Sequence, residues 1–263
     1  MHVREPAVAG QFYPGNAAKL KEMLESFSSG AKKTPSSKAI IAPHAGYIYS
    51  GRIAALGHAR LAQAKTFILL GPNHTGLGPG ISVSDSDSWK TPLGGIQTNK
   101  EIAEKIIKKS NAEFDSMAHL GEHSLEVQLP FLQHRFAAFK IVPITIASQE
   151  LSELLKLGNA IASLKEDVSV IASSDFSHFI PLKNAKEKDL EALELARKLK
   201  AKEFHALVEE KNLSICGASA ITAVLQYCRK KGMKKGTLLE YGSSADMTGD
   251  TSSVVGYASM AFR

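Results

Sequence analysis

A chain of 263 residues that is 44% hydrophobic and 22% charged belongs with globular proteins, and this excludes the disordered and fibrous classes. Thirty-two Lys plus Arg against 26 Asp plus Glu leave +6 at pH 7, but the excess sits in short clusters such as Lys32-Lys33, Lys108-Lys109 and Arg229-Lys230-Lys231; these read as solvated helix ends, so no nucleic-acid partner is expected. Two cysteines, no signal-peptide pattern and no run of about 18 apolar residues point to a cytoplasmic chain with neither a disulfide framework nor a membrane span.

In chain order, residues Met1–Phe27 read as an arm and helix packed on the main body, and Ser28–Ser37 as the one linker-like stretch. Lys38–Ala42 is a buried strand, Arg52–Ala62 a helix, Thr66–Leu70 a second strand and Gly80–Ser84 a short third one before a turn region at Trp89–Gly94. Asn99–Lys109 is helical, His123–Phe136 carries Leu125, Leu129 and Leu132 at helical spacing, and Lys140–Ile146 is a β-rich run interrupted by Pro143. A helix at Leu151–Leu164 leads to the strand Val168–Ala172; helices follow from Pro181 to Lys200, at Ala201–Lys211 and at Ala218–Lys231. Strands near Thr237–Tyr241 and Ser253–Ala261 close the chain. Apolar strands alternating with amphipathic helices predict a sheet covered by helices, here in a single domain over residues 1–263.

Chemistry-bearing residues fall just beyond strands. Ala42-Pro43-His44-Ala45-Gly46-Tyr47, Gly71-Pro72-Asn73-His74-Thr75-Gly76 and Ser173-Ser174-Asp175-Phe176-Ser177-His178 each follow a strand, and open α/β sheets bind ligands past the carboxyl ends of their strands. A lone histidine in a loop is more often a packing or surface residue, but three such loops on one edge are hard to ascribe to packing, and neutral imidazole is a common metal ligand. Cys216, in Ser214-Ile215-Cys216-Gly217-Ala218, stands where a helix begins, so a lowered thiol pKa and a soft ligand or nucleophile are expected; the bland reading is a small buried hydrophobe. Cys228, inside a helix, reads as structural. In Glu122-His123-Ser124-Leu125-Glu126, Gly121 argues against one helix from His119 through His123. Ser124 or a neighbour is the expected N-cap and His123 an additional group at the pocket rim. Asp85, Asp87, Asp246 and Asp250 read as turn formers, and no Walker motif, nucleophile elbow or His-Glu-x-x-His is present.

Together with Arg4–Pro14 and Gly256-Tyr257-Ala258, the segments 42–47, 71–74, 122–126, 173–178 and 215–217 give the chain a resemblance to the Memo family along nearly its whole length. That resemblance implies a three-layer α/β/α fold with a central mixed sheet, like the class III extradiol non-haem iron dioxygenases. It also implies that His44, His74 and Cys216 stand where those enzymes hold metal with two His and one carboxylate. By the same resemblance His178 matches a catalytic acid/base histidine, Asp175 is the adjoining pocket acid, and the partners are a radical-SAM protein and an AMMECR-type domain protein. A thiolate at the third vertex favours softer metals, so iron, copper and zinc all fit, and ring-cleaving activity is not inherited from the fold. Three uses of the pocket follow: a metal-dependent, redox or oxygenase-type reaction; a non-catalytic module binding a phosphopeptide or protein, with Arg52 at the rim; or hydrolysis by metal-activated water or by Cys216.

Overall fold

Apolar strands that must bury both faces and helices that must bury one condense into a sheet between two helical layers. A computed structural model describes residues 2–28 and 37–263. Along the chain come β1 (Val3–Arg4), α1 (Ala17–Ser28), β2 (Ala39–Ala42), α2 (Tyr47–Arg60), β3 (Thr66–Pro72), β4 (Ile81–Ser84), β5 (Ser88–Thr91) and β6 (Gly94–Gln97). Next are α3 (Lys100–Ile107), β7 (Glu113–Asp115), α4 (Met117–Leu120), α5 (Leu129–Arg135), β8 (Lys140–Ile146), α6 (Leu151–Ala162), β9 (Val168–Ser173) and β10 (His178–Ile180). The remainder is α7 (Leu182–Arg197), α8 (Ala201–Glu210), α9 (Ala218–Lys230), β11 (Gly236–Ser243), α10 (Ala245–Thr248) and β12 (Val254–Phe262).

The larger sheet has the order β10-β12-β2-β9-β3-β8-β4-β7, with β11 on β12. Its centre, β2-β9-β3-β8, is parallel, while β12 and β4 run antiparallel to their inner neighbours. Side chains alternate across it with period two. Ile40, Phe67, Leu69, Ile141 and Ile171 face the layer of α1, α2, α5 and the β5-β6 hairpin. Ile41, Ile68, Leu70, Val142, Ile144 and Val170 face α3, α6, α7, α8 and α9. Burial on both faces is why these strands read as unbroken apolar runs. The fold is thus the three-layer α/β/α arrangement with a mixed sheet that the resemblance implies.

β12 pairs with β10 through His178↔Val255 and with β2 through Met260↔Ile41, so it spans from the His178 segment to the strand that leads into the His44 loop.

The arm is fixed to the body by a buried cation. Arg4 Nε donates to the His119 carbonyl (3.0 Å), Nη2 donates to the Glu122 carbonyl (2.6 Å), Nη1 pairs with Glu126, and the guanidinium lies 4.4 Å from the Trp89 ring centroid. Glu126, fully buried, also accepts from the amides of Ala7 (2.8 Å) and Val8 (3.1 Å) and from the Tyr13 hydroxyl (2.6 Å).

Several sequence expectations change. The helix expected over His123–Phe136 starts at Leu129, after a 3-10 turn at Glu126–Gln128. Residues 122–125 instead form a loop whose Ser124 amide donates to the Glu122 carboxylate (2.8 Å), and Pro130 sits in the first helical turn, where no amide proton is needed. Ser124 is no N-cap: its hydroxyl lies 3.3 Å from the Pro72 carbonyl. The Trp89–Gly94 region is mostly strand, formed by the β5-β6 hairpin, because buried Trp89 pairs with Ile96 and donates from Nε1 to Ser84 Oγ (3.0 Å). β8 continues through Pro143, since β4 pairs only from Ile144 onward and asks for no amide proton at 143. Of the expected linker, 29–36 lie outside the described residues.

Candidate metal centre

The parallel strands β2, β9 and β3 are adjacent and point the same way, so the loops after Ala42, Ser173 and Pro72 leave one edge side by side. The first loop carries His44, which is 2% exposed. Its Nε2 lies 3.3 Å from Cys216 Sγ, its Nδ1 lies 3.0 Å from Ser173 Oγ, and its amide donates to Asp175 Oδ1 (2.8 Å). The third loop carries His74, whose amide donates to Glu122 Oε2 (2.6 Å) and whose Nδ1 lies 2.9 Å from Glu122 Oε1. Cys216 arrives from the turn before α9, held by the Gly217 amide donating to Ser174 Oγ (3.0 Å) and by the Asp175 amide donating to its sulfur (3.3 Å). Donor atoms of His44, His74 and Cys216 all lie within 4.8 Å of one another.

Two glycines make the convergence possible. A Cβ on Gly217 would stand 2.5 Å from the Ser173 carbonyl oxygen, and one on Gly71 would stand 2.7 Å from Ser124 Oγ. Only a residue without a side chain lets the Cys216 turn and the 122–125 loop press against the strand ends this closely.

Burial, followed by the charges of His123 and His74, pushes the His44 imidazole well below its usual pKa, so it is neutral as a metal ligand must be. Burial opposes ionisation of Glu122, yet the His74 ring and the Ser124 and His74 amides hold its carboxyl down to about 2. Burial pushes the Asp175 carboxyl up against the pull of the His44 and Ala45 amides. The same burial, reinforced by Asp175, pushes the Cys216 thiol well up. This reverses the expectation of a thiolate favoured by the helix start: desolvation, with the charge of Asp175, outweighs the helix dipole. In metal-free protein at neutral pH, alkylation of Cys216 is therefore expected to be slow and to accelerate as pH rises. Mass-spectrometric labelling that finished as fast at pH 7 as at pH 9 would contradict this electrostatic picture. Cys228 is fully buried in α9, as its structural reading requires.

His178, at the start of β10, donates from its amide to Ser214 Oγ (2.8 Å) and from Nδ1 to the Ser214 carbonyl (2.7 Å), which leaves Nε2 free. In its charged form it acts on both His44 and Asp175, so it lies in their neighbourhood. Asp175 Oδ2 is 4.0 Å from His44 Nε2. His123 stacks on His74 with centroids 4.7 Å apart and meets His44 edge-on at 5.5 Å.

Other groups do not join the site. His119 is buried beneath it, with Nε2 donating to the Ser82 carbonyl (3.1 Å). Arg52, expected as an anion-binding rim residue, is occupied by both carboxylate oxygens of Glu240, a partner 188 positions away. Sequence reading quoted Glu122 inside a motif but assigned it no role, and Gln128 gave no signal at all. A second set of close donors that could hold a metal ion is His74, Glu122 and His123, where a metal on His74 Nδ1 would replace that nitrogen's contact with Glu122 Oε1.

Such a site on such a sheet defines a class: three-layer α/β/α proteins in which two histidines and a cysteine stand close enough to hold a metal ion. Comparison with known proteins narrows it. Residues 4–261 match the Memo-like protein family, and the chain belongs to that family. It is 42% identical over 266 residues to a MEMO1 family protein of Methanosarcina acetivorans, covering 99% of each chain. It is 41% identical over 269 residues to one of Aquifex aeolicus, covering all of both. Among solved structures, an uncharacterized protein from Escherichia coli K12 superposes with a TM-score of 0.59 over 84% of this chain and 98% of its own, at 16% identity, a likeness of fold alone.

Proposed function

We propose that this chain is a metal-dependent oxidoreductase that holds one transition-metal ion through His44 Nε2, His74 and Cys216. The observation that carries the reading is the convergence of these three donors, within 4.8 Å, from segments 30 and more residues apart in sequence. Two imidazoles and a sulfur suit iron, copper or zinc rather than the hard cations that prefer oxygen. When bound, such an ion supplies Lewis acidity and, for iron or copper, one-electron chemistry. His178 takes up and delivers a proton at its free Nε2, while Asp175, buried beside His44, braces the His44 loop through the amide it accepts.

Anaerobic metal analysis of protein isolated from its native host tests the reading, with about one transition-metal ion per chain expected. His178→Ala should keep that ion and lose turnover. Native protein devoid of transition metal would overturn the metal reading, and loss of the ion from His178→Ala would turn His178 from proton carrier into ligand.

A second reading, a module that binds a partner at the same mouth without turnover, is favoured by exposed apolar side chains next to each site loop: Ile48 and Tyr49, Leu77, Leu120 and Phe179. With Arg52 occupied, a protein or unmodified peptide fits this rim better than a phosphopeptide. A radical-SAM protein or an AMMECR-type protein is the partner to try, and binding that survives metal removal would favour this reading.

A further inference from the structure

We propose, resting on the metal-site reading above, that Glu122 and Ser173 are positioning residues that fix His74 and His44 in the same Nδ1–H tautomer. Both Nε2 lone pairs are then free on the side of Cys216 before any metal arrives. A neutral imidazole carries one proton on either nitrogen, and the wrong choice puts a proton where the metal must sit.

At His74 the logic is one of acceptors. The Glu122 carboxyl is fully buried, and each of its oxygens faces a backbone N–H, so it is placed as an acceptor. Its Oε2 takes the His74 amide (2.6 Å), and its Oε1 takes the Ser124 amide (2.8 Å) and faces His74 Nδ1 at 2.9 Å. Nδ1 is therefore the donor, and in the neutral ring the lone pair is on Nε2.

At His44 the logic is one of counting protons. The Ser173 hydroxyl has one proton and three neighbours: the Ser124 carbonyl (2.7 Å), Gln128 Nε2 (2.8 Å) and His44 Nδ1 (3.0 Å). A carbonyl oxygen only accepts, so the hydroxyl proton goes to Ser124. The Gln128 amide cannot be reversed, because its Nε2 also donates to the Pro43 carbonyl (2.9 Å) and its Oε1 faces His58 Nε2 (2.8 Å). Ser173 thus accepts from Gln128 with one lone pair and from His44 Nδ1–H with the other. His44 Nε2 is bare, and it is the atom 3.3 Å from Cys216 Sγ. The chain of donors ends consistently: His58 donates from Nε2 to Gln128, and its Nδ1 is a buried nitrogen without a hydrogen-bond partner, as an unprotonated nitrogen can be at lower cost than an N–H.

Two unrelated networks, one ionic and one built from a hydroxyl and an amide, thus impose the same tautomer on two histidines from different strands. Packing alone has no reason to make them agree. A site that must present two lone pairs to one ion does.

Nitrogen-15 NMR of histidine-labelled, metal-free protein, using two-bond proton–nitrogen correlations, reads each tautomer directly. Both His44 and His74 are expected as Nδ1–H. In Glu122→Gln an amide NH₂ replaces one acceptor, so His74 should move toward Nε2–H or a mixture. In Ser173→Ala, His44 should become mixed, and Ser173→Thr, which keeps the hydroxyl, should restore it. Zn²⁺ affinity should fall roughly 10–100-fold in Glu122→Gln and Ser173→Ala and recover in Ser173→Thr. An Nε2–H tautomer at either histidine of the parent chain would overturn the proposal, and this result needs no variant to fold. Unchanged tautomers in well-folded Glu122→Gln and Ser173→Ala would overturn it as well. Both histidines found as Nδ1–H in a protein that binds no Zn²⁺ would uphold the positioning roles while sinking the metal reading.

Discussion

Cys216→Ala is expected to weaken Zn²⁺ and Cu(I) binding by more than the roughly 10–100-fold that loss of a residue behind the ligands costs. Cys216→Asp should retain a set of two imidazoles and one carboxylate but shift preference toward Fe(II) or Mn²⁺, because an oxygen donor is harder than sulfur. Proton competition adds a signature. The Cys216 thiol is pushed up by burial and by Asp175, so near neutral pH it is protonated and must release its proton when it binds. Apparent affinity of the parent chain should therefore rise about tenfold per pH unit through the neutral range, where one proton leaves for each ion bound. A carboxyl ionises at far lower pH than a thiol in the same place, so the Asp variant should show a flatter dependence. Anaerobic competition titration at several pH values reports all of this. Equal affinity for Zn²⁺ and Cu(I) in parent, Ala and Asp proteins would remove Cys216 from the ligand set.

The largest effect on stability is expected at Glu126, whose hydrogen bonds go to the arm rather than to the proposed metal ligands. Replacing it with alanine strands Arg4, whose side chain is 1% exposed, together with the two amides and the Tyr13 hydroxyl that the carboxylate now accepts. Removing one partner of a buried ion pair costs about 3–5 kcal/mol. Urea unfolding of Glu126→Ala should show a loss of that size. A double variant, Arg4→Met with Glu126→Ala, should lose less than the sum of the single changes, since the stranded charge is gone. A loss below about 1 kcal/mol in Glu126→Ala would mean that the arm is not held by this pair. Because Arg4 also grips the Glu122 carbonyl, metal affinity should drop in the single variant too.

The strands were readable because the central ones are buried on both faces and so are apolar throughout, and the placement of His44, His74, Asp175 and His178 followed from strands that end together. Local signals misled where a distant group decided the outcome. Leu125, Leu129 and Leu132 have helical spacing, yet the Glu122 carboxylate takes the Ser124 amide and holds residues 122–125 as a loop. The start of α9 suggested a thiolate at Cys216, but burial beside Asp175 depends on β9, some 40 positions earlier. Arg52 looked available because nothing near it in sequence announces Glu240. Gln128 was invisible for the same reason: its partners Pro43, His58 and Ser173 come from three separate segments.

The path of β12 has a consequence for how the site tolerates change. Since that strand pairs with the His178 segment at one end and the His44 strand at the other, it works as a ruler between them. Each residue of a strand advances the chain by about 3.3 Å. Removing one residue between Val255 and Met260 would displace the His178 segment from His44 by that amount while leaving both loops intact in sequence. Insertions elsewhere on the surface can be absorbed by the loops, whereas the length of this one stretch is calibrated to the separation of the groups it connects.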